Sequence, residues 1–451
     1  MNRQNLKYAI PRDSYAFVTL GCKSNQYDSA AMAAALAGSG MVSVGPEGAG
    51  MVIVNTCMVT GPTEAQCRKE IRRVKRENPD SFLIVTGCMS KGASRSLSEM
   101  AEIDLVLDME EKGKLVSTLG ILSGEDWVDW PDVPAVAIEG RDRGFLKIQD
   151  GCDFACSYCV VPSVRGSSRS LAPEKVLKNI KNHLENGVEE VVLTGIHLGL
   201  FGKDLTPTGT LEVLLNDFLK QNISGRVRLS SLEPLEITDA MLDLIAGSGG
   251  RICRHLHIPL QSGSDRILGL MDRPYKCADF IDAVNRARSV VPDIGIGCDV
   301  ICGFPTETDE DFAKTEEVIT SMEIPFLHVF PFSSRPGTKA ASMKDDVPHT
   351  VKKERAARLR KRGKGNLAAF MDSLVGEELI VVPEPGSVSS SGMPALADNY
   401  VRVVLDEDGT VPGHLVRVKC EKRVGEMLSG KILPGDRAKD TGEPIPGENG
   451  R

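Results

Sequence analysis

Three cysteines fall within the short stretch GCDFACSYC: Cys152, Cys156 and Cys159, at spacing C-x3-C-x2-C. Thiols this close can pair as a disulfide, hold zinc, or ligate an iron–sulfur cluster. A structural zinc site takes four protein ligands, and a catalytic one takes three plus water. No fourth cysteine or histidine lies nearby; the next histidine, His183, falls on an expected helix. A four-iron cubane held by three thiolates leaves one iron open to a substrate or cofactor.

A second triplet is spread over the N-terminal quarter. Cys22, Cys57 and Cys88 stand in TLGCKSNQ, VIVNTCMVT and LIVTGCMS, each just past the end of an expected strand. In a parallel sheet such strand ends lie together at one edge, where ligands bind. Distant thiols can therefore converge without a local spacing rule. Cys67 falls inside an expected helix and reads as a packing residue. Cys253, Cys277, Cys298, Cys302 and Cys420 likewise read as small buried or surface residues.

The elements that would position these thiols follow from periodicity. Residues 15–122 alternate short β-rich runs (YAFVTL, MVIVNT, FLIVTG, DLVLD) with helical stretches, which implies a parallel sheet between helices. From residue 144 the alternation resumes with FLKIQ, EVVLTG, RVRLSS, CRHLHIP, IGIGCDVI and FLHVFPF. Six β/α units imply a partial or full barrel, with its site at the C-terminal strand ends. The cysteine loop follows the first of these strands. Residues 123–136, with both tryptophans and two prolines, read as a linker. The run HTVKKERAARLRKRGKGN (349–366) is strongly basic, and reads as either a solvated helix face or a phosphate-contacting segment. Residues 374–433 turn to a β pattern that fits a small barrel, and the tail beyond Pro434 is polar.

The 451 residues exceed one ordinary core, so two or three domains are expected. With 41% hydrophobic and 26% charged residues the composition is that of a soluble globular protein. No apolar run reaches membrane-spanning length, and no membrane partner is expected. The opening MNRQNLKYAIPRD lacks a signal-peptide core, so a cytoplasmic protein is expected. In that reducing compartment the 12 cysteines are not expected to form a disulfide framework, and the clustered ones read as metal or redox sites. A net charge of −8 confines any nucleic-acid contact to local basic patches.

The C-x3-C-x2-C motif, with Tyr158 before its last cysteine, resembles that of the radical S-adenosylmethionine (SAM) enzymes. With the N-terminal triplet and the small C-terminal barrel (a TRAM domain), nearly the whole chain resembles the radical-SAM methylthiotransferase family. LTGIHLG (193–199), RLSSLEP (228–234), HIPLQSGSDRIL (257–268), DVICGFPTET (299–308) and HVFPFSSRPGT (328–338) are similar to the tRNA branch that modifies threonylcarbamoyladenosine beside the anticodon. Thr306, Cys298 and Phe201 depart from the residues usual in relatives, and none is a cluster thiol.

The resemblance implies three domains: a methylthiotransferase domain (1–128), a radical-SAM core (138–370) and a TRAM domain (372–435), with a loose tail at 436–451. It also implies two [4Fe-4S] clusters, on Cys152, Cys156 and Cys159 and on Cys22, Cys57 and Cys88, together with SAM. SAM would meet the Tyr158 backbone, the Thr194–Gly195 strand end and, as weaker candidates, Ser230, Glu233, Gln261 and Asp299. His197 reads as a packed or substrate-facing residue and not as a metal ligand. The implied partners are a tRNA anticodon arm, an electron donor and a sulfur source. The alternatives are a methylthiotransferase acting on a ribosomal protein and a non-catalytic RNA-binding iron–sulfur protein.

Overall fold

The computed structural model describes residues 13–119, 143–384, 392–405 and 414–434. The linker expected at 123–136 and the tail at 436–451 lie outside these residues. Strand MVIVNT is buried along its whole length, as a strand covered on both faces must be. It is β3 (Met51–Thr56) of a parallel sheet ordered β2-β1-β3-β4-β5. The others are β1 (Ser14–Thr19), β2 (Val42–Ser43), β4 (Phe82–Gly87) and β5 (Leu105–Val106). Val52, Val54 and Val85 pack under helix Gly61–Glu77, while Ile53 and Ile84 face helix Lys23–Gly38 on the other side. The run DLVLD contributes only two paired residues. Helix Lys23–Gly38 has Cys22 as its N-cap.

Next come β6 (Arg143–Lys147) and a small hairpin of β7 (Gln149–Asp150) and β8 (Arg169–Ser170). Five further strands complete an open barrel: β9 (Glu190–Thr194), β10 (Arg226–Leu229), β11 (His255–His257), β12 (Gly295–Cys302) and β13 (Phe326–Pro331). β6-β9-β10 and β11-β12-β13 each pair in parallel. Single bridges, Val227 to Ile252 and Ser231 to His257, join the two halves. Outward residues such as Val191, Leu193, Ile296 and Val300 fill the main core under the helices.

The lower interior of the barrel is charged. Glu190 sits 2.7 Å from both Arg226 Nη2 and Arg228 Nε, and all three are buried. Burial alone would raise the Glu190 carboxyl, but the two guanidiniums outweigh it and hold it far below the usual range. Both arginines also donate onward to backbone carbonyls of Ile380, Leu396, Ala397 and Asp398. Those carbonyls belong to a closed five-stranded barrel ordered β14-β15-β16-β18-β17. Its strands are β14 (Glu378–Pro383), β15 (Met393–Ala397), β16 (Arg402–Leu405), β17 (Val416–Val424) and β18 (Met427–Ile432). β15, which contains Pro394, is the strand the sequence pattern misses. The turn Asp398–Tyr400 floors the larger barrel. Asn399 O occupies the space a side chain on Gly295 would need, and the Tyr400 ring stacks on His255 at 4.4 Å.

The basic run forms helix His349–Ser373, and only part of it is free. Lys352 is buried against Asp345, and Arg355 against Glu307 and Asp309. Arg358 pairs with Glu316 and Arg360 donates to Val329 O. Of the eight cations in the run, Lys352 and Arg355 are buried in packing, while Lys353, Arg358, Arg360, Lys361, Arg362 and Lys364 stay exposed. Among the described residues no helix is long and apolar enough to cross a membrane.

Glu190→Gln leaves two buried guanidiniums without a counter-charge, which is expected to cost about 3–5 kcal/mol. Urea denaturation of the variant tests this; an unchanged midpoint would mean that the carbonyls alone satisfy both arginines.

Candidate active site between two sheet edges

All twelve cysteines are free thiols. The loop carrying Cys152, Cys156 and Cys159 leaves β7 through Gly151, whose φ is +74°. A side chain there would meet Ser167 O at 2.0 Å, so only glycine lets the loop turn back on itself. Gln149 pins the turn, donating to Gly151 O and Ser168 Oγ and accepting from His197 N. Ser157 N and Oγ bond Met271 O and Leu270 O, which fixes the far side.

Each sulfur faces a donor. Phe154 N lies 3.4 Å from Cys152 Sγ, Val161 N 3.4 Å from Cys159 Sγ, and Arg273 Nη1 3.1 Å from Cys156 Sγ. Arg273 is anchored in turn by Glu233 and lies over the Tyr275 ring. Burial pushes the Cys159 thiol up to about 12 and raises Cys156. Bare thiols here would stay protonated, whereas a bound metal would deprotonate them. Three unpaired soft sulfurs, each with a donor aimed at it, fit an iron–sulfur cluster better than zinc.

His197 lies across the loop. Its Nδ1 is 3.5 Å from Cys152 Sγ, its Nε2 2.8 Å from Glu236, and Phe154 packs edge-on at 4.4 Å. Burial opposes its charge, but the hydrogen bonds to Cys152 and Glu236 prevail and raise it to about 9. Sequence reasoning placed His197 as a packed or substrate-facing residue; the structure places it against a cluster-loop thiol. It missed Gln149 and Arg273, which reach the loop only through the fold.

The second triplet gathers at the edge of the N-terminal sheet. Cys57 and Cys88 are 4% and 3% exposed, while Cys22 is open. Burial pushes Cys57 up to about 12, with Cys88, Cys22 and Cys67 adding smaller effects as near neighbours. Gly21, at φ +99°, passes so close that a side chain would lie 2.8 Å from Cys57 Sγ. Cys22 and Cys88 each start a helix, where amide dipoles favour an anionic sulfur. These features fit a second three-thiolate site. Cys67, read as a packing residue, is buried beside them, its Sγ 3.4 Å from the Cys57 N and O atoms.

One buried ionic network joins the two edges. Asp28 contacts Lys112 at 2.7 Å and Lys147 at 2.5 Å, and Asp150 contacts Lys147 and Arg165, each at 2.9 Å. Arg165 also donates to Asn25 Oδ1, and Asn25 donates to Leu20 O and Thr56 O. Burial alone would raise both carboxyls. Lys112, Lys147 and Arg165 around Asp28, and Lys147 and Arg165 around Asp150, outweigh it and hold both well below the usual range. A further tie runs from Arg335 to Glu64. Lys23, next to Cys22, is brought down to about 8 by burial, with Arg228 and Arg143 adding to the effect.

The remaining sequence candidates lie at or near the barrel's C-terminal strand ends. Thr194 is buried beside Gly195 at the end of β9. Ser230 follows β10, and its buried Oγ has no partner among the described residues. Tyr158 packs on Ile267, Met271, Phe304 and Phe332. Gln261 adopts φ +60°, bonded through its backbone to Asp299 O and Ile301 N. Glu233 is engaged by Arg273. Asp299 forms a separate group with His257 and His328, whose nitrogens lie 3.1 and 3.3 Å from its Oδ1. These three could hold a cation, but both rings already share one carboxylate oxygen.

The segment 146–319 matches the family model described as radical SAM superfamily, and 14–108 matches that described as uncharacterized protein family UPF0004. The threonylcarbamoyladenosine tRNA methylthiotransferase of Rickettsia prowazekii is 35% identical, over 90% of this chain and 93% of that one. The chain belongs to the methylthiotransferase family. The Thermotoga maritima enzyme of the same name is 34% identical over 92% and 98% of the two chains. A tRNA-2-methylthio-N(6)-dimethylallyladenosine synthase of Moorella thermoacetica is 31% identical over 94% and 99%. The radical SAM methyltransferase TsrM of Kitasatospora setae shares the fold, with TM-score 0.52 at 16% identity over 70% of this chain and 72% of that one. This methylthiotransferase is thus a radical-SAM enzyme, and membership implies SAM and a [4Fe-4S] cluster.

Both carboxyls of the ionic network lie below the ordinary unfolded value. Their stabilisation is therefore complete above about pH 4 and is lost as pH falls through the folded values. Acid titration followed by proteolytic sensitivity is expected to show the N-terminal domain separating below about pH 4. Asp28→Asn should loosen the domain already at pH 7; equal protease resistance in variant and parent would count against this role.

Proposed function

We propose that the protein adds a methylthio group to C2 of N6-threonylcarbamoyladenosine beside the anticodon of tRNA, using two [4Fe-4S] clusters and SAM. The observation that carries this reading is the pairing of two three-thiol sites on facing sheet edges, tied by one buried ionic network. Curated relatives bearing the threonylcarbamoyladenosine name, at 33–35% identity over about nine-tenths of the chain, support the choice of substrate.

Cys152, Cys156 and Cys159 would hold one cluster; Cys22, Cys57 and Cys88 would hold the other. When bound, these groups supply a carbon radical from SAM and a sulfur carrier, chemistry that no side chain can perform on an unactivated aromatic C–H. The chain itself positions and shields. Gln149, Arg273 and His197 fix the first thiol loop, and Asn25 and Arg165 fix the second site relative to it. Thr194, Gly195, Ser230, Glu233, Gln261, Asp299 and the Tyr158 backbone are the proposed SAM contacts, and Ser230 Oγ offers an unused buried hydrogen bond. The target base must leave its stack to enter between the edges. The exposed Lys353, Lys361 and Arg362, with the small C-terminal barrel as a TRAM domain, would contact the anticodon arm. The reductant and the sulfur source come from outside. We divide the chain into domains at 1–128, 138–370 and 372–435, and place the protein in the cytoplasm.

Anaerobic reconstitution is expected to load about eight irons per chain, from two four-iron clusters. Alanine at Cys152, Cys156 and Cys159, or at Cys22, Cys57 and Cys88, should each remove about half. Cys57→Ala should still cleave SAM without transferring a methylthio group, and Cys156→Ala should do neither. Full iron retention in either triple variant would refute the ligand sets.

The substrate is tested on three tRNAs, bearing threonylcarbamoyladenosine, isopentenyladenosine or unmodified adenosine. Only the first is expected to yield the methylthio nucleoside by mass spectrometry. Equal turnover of the isopentenyl substrate would reject this choice of substrate and leave the methylthio transfer standing.

A further inference from the structure

His257, Asp299 and His328 form a polar group of which only Asp299 is among the proposed SAM contacts. They stand on three adjacent strands, β11, β12 and β13. Along β12 the residues alternate. Ile296, Cys298, Val300 and Cys302 pack outward into the core, while Gly297, Asp299 and Ile301 face inward. Gly297 leaves room for His257, whose Nδ1 would lie 2.6 Å from a side chain there. Val329 packs outward on β13, so His328 and Phe330 turn to the inner side.

The height of the group in the barrel follows from register. His257 bridges to Ser231, two residues beyond Leu229, and Leu229 pairs with Leu193 at the end of β9. Asp299 and His328 pair with each other two residues beyond the His257–Gly297 pair. The trio therefore stands at the C-terminal mouth, on the edge from which the cysteine loop springs. Beneath it the barrel is closed by the His255–Tyr400 stack and Phe326.

Within this group His328 is the open member. Its side chain is 57% exposed, against 13% for His257 and 27% for Asp299. Its Nδ1 lies 3.3 Å from Asp299 Oδ1, the oxygen that also accepts from His257 Nε2 at 3.1 Å. The two rings stand 5.2 Å apart, tilted by 34°. Asp299 thus fixes the His328 ring by one nitrogen and leaves Nε2 facing open space beside the exposed Phe330.

We infer that His328, oriented by Asp299 and His257, is the specificity-determining residue that reads the substituent on the adenine N6, its Nε2 hydrogen-bonding a polar, carboxylate-bearing ureido group. This rests on the function proposed above. An aromatic face flanked by a hydrogen-bonding nitrogen suits a base that carries such a chain. An apolar tail in the same place would leave Nε2 and the carboxylate behind it desolvated and unpaired. A site built this way rejects a substrate that lacks the polar group far more strongly than an apolar pocket rejects an added one.

The test is His328→Phe, which keeps a planar ring and removes both nitrogens, with His328→Gln as the conservative partner. Methylthio transfer is measured on tRNAs bearing the threonylcarbamoyl or the isopentenyl group, with affinities for the matching stem-loops and for the unmodified one. His328→Phe is expected to lower kcat/KM on the threonylcarbamoyl tRNA by about 10–100-fold and to narrow or reverse the preference between the two substrates. His328→Gln should restore part of the preference. Iron content and affinity for the unmodified stem-loop should match the parent, which shows that the fold is intact. Unchanged preference in His328→Phe, with the parent active on threonylcarbamoyl tRNA, overturns the role of His328 alone. A parent protein inactive on that tRNA overturns the substrate reading itself, before any variant is compared.

Discussion

The architecture hangs on the buried ionic network of Asp28, Lys112, Lys147, Asp150 and Arg165. Four of its five members stand within six residues of one of the triplet thiols. Asp150 stands two residues before Cys152. Asn25, bonded to Arg165, stands three after Cys22 and binds the carbonyl next to Cys57. Burying such charges is expensive, and well-packed apolar residues could give as much stability. What apolar packing would not give is a fixed register between two domains, because it is not directional. Three cations against two carboxylates leave positive charge over. The network is thus electrostatically suited to a neighbour that carries thiolates.

Much of this was legible in the sequence for definite reasons. The triplet at Cys152, Cys156 and Cys159 is a local spacing, so no fold was needed to see it. Cys22, Cys57 and Cys88 were legible because buried parallel strands announce themselves as apolar runs, and the cysteines stand where those runs stop. Arg273 was not legible. It reaches Cys156 from 117 positions away, through a loop whose composition signals nothing. β15 was hidden by Pro394 and small residues, which suit a short barrel strand but score poorly as β. In the run 349–366 a charge count cannot show which side of the helix will be covered. Lys352 and Arg355 found acids on the loop at 307–309 and at Asp345.

The trio of His257, Asp299 and His328 shows the same limit from the other side. Each residue lies in a stretch singled out by resemblance, yet nothing in the linear sequence says that three consecutive barrel strands bring them together at the mouth. Inward and outward alternation along β12 decides it. The residues that pack the core, Cys298 and Val300, force Asp299 to the interior, and the pairing with β13 brings His328 level with it.

The floor of the large barrel has a consequence for how the chain is made. Arg228 donates to the carbonyl of Asp398, 170 positions further on. A ribosome therefore releases the barrel strands long before the turn that completes them. Domains generally fold as they emerge, N-terminal first. Here the nascent barrel must wait with two guanidiniums sharing one carboxylate and an open lower mouth. A chain interrupted before the small barrel would keep both thiol triplets and lose the floor of the large barrel. In the cell such a fragment would be a substrate for chaperones and proteases, so the small barrel acts as a check on the barrel translated before it.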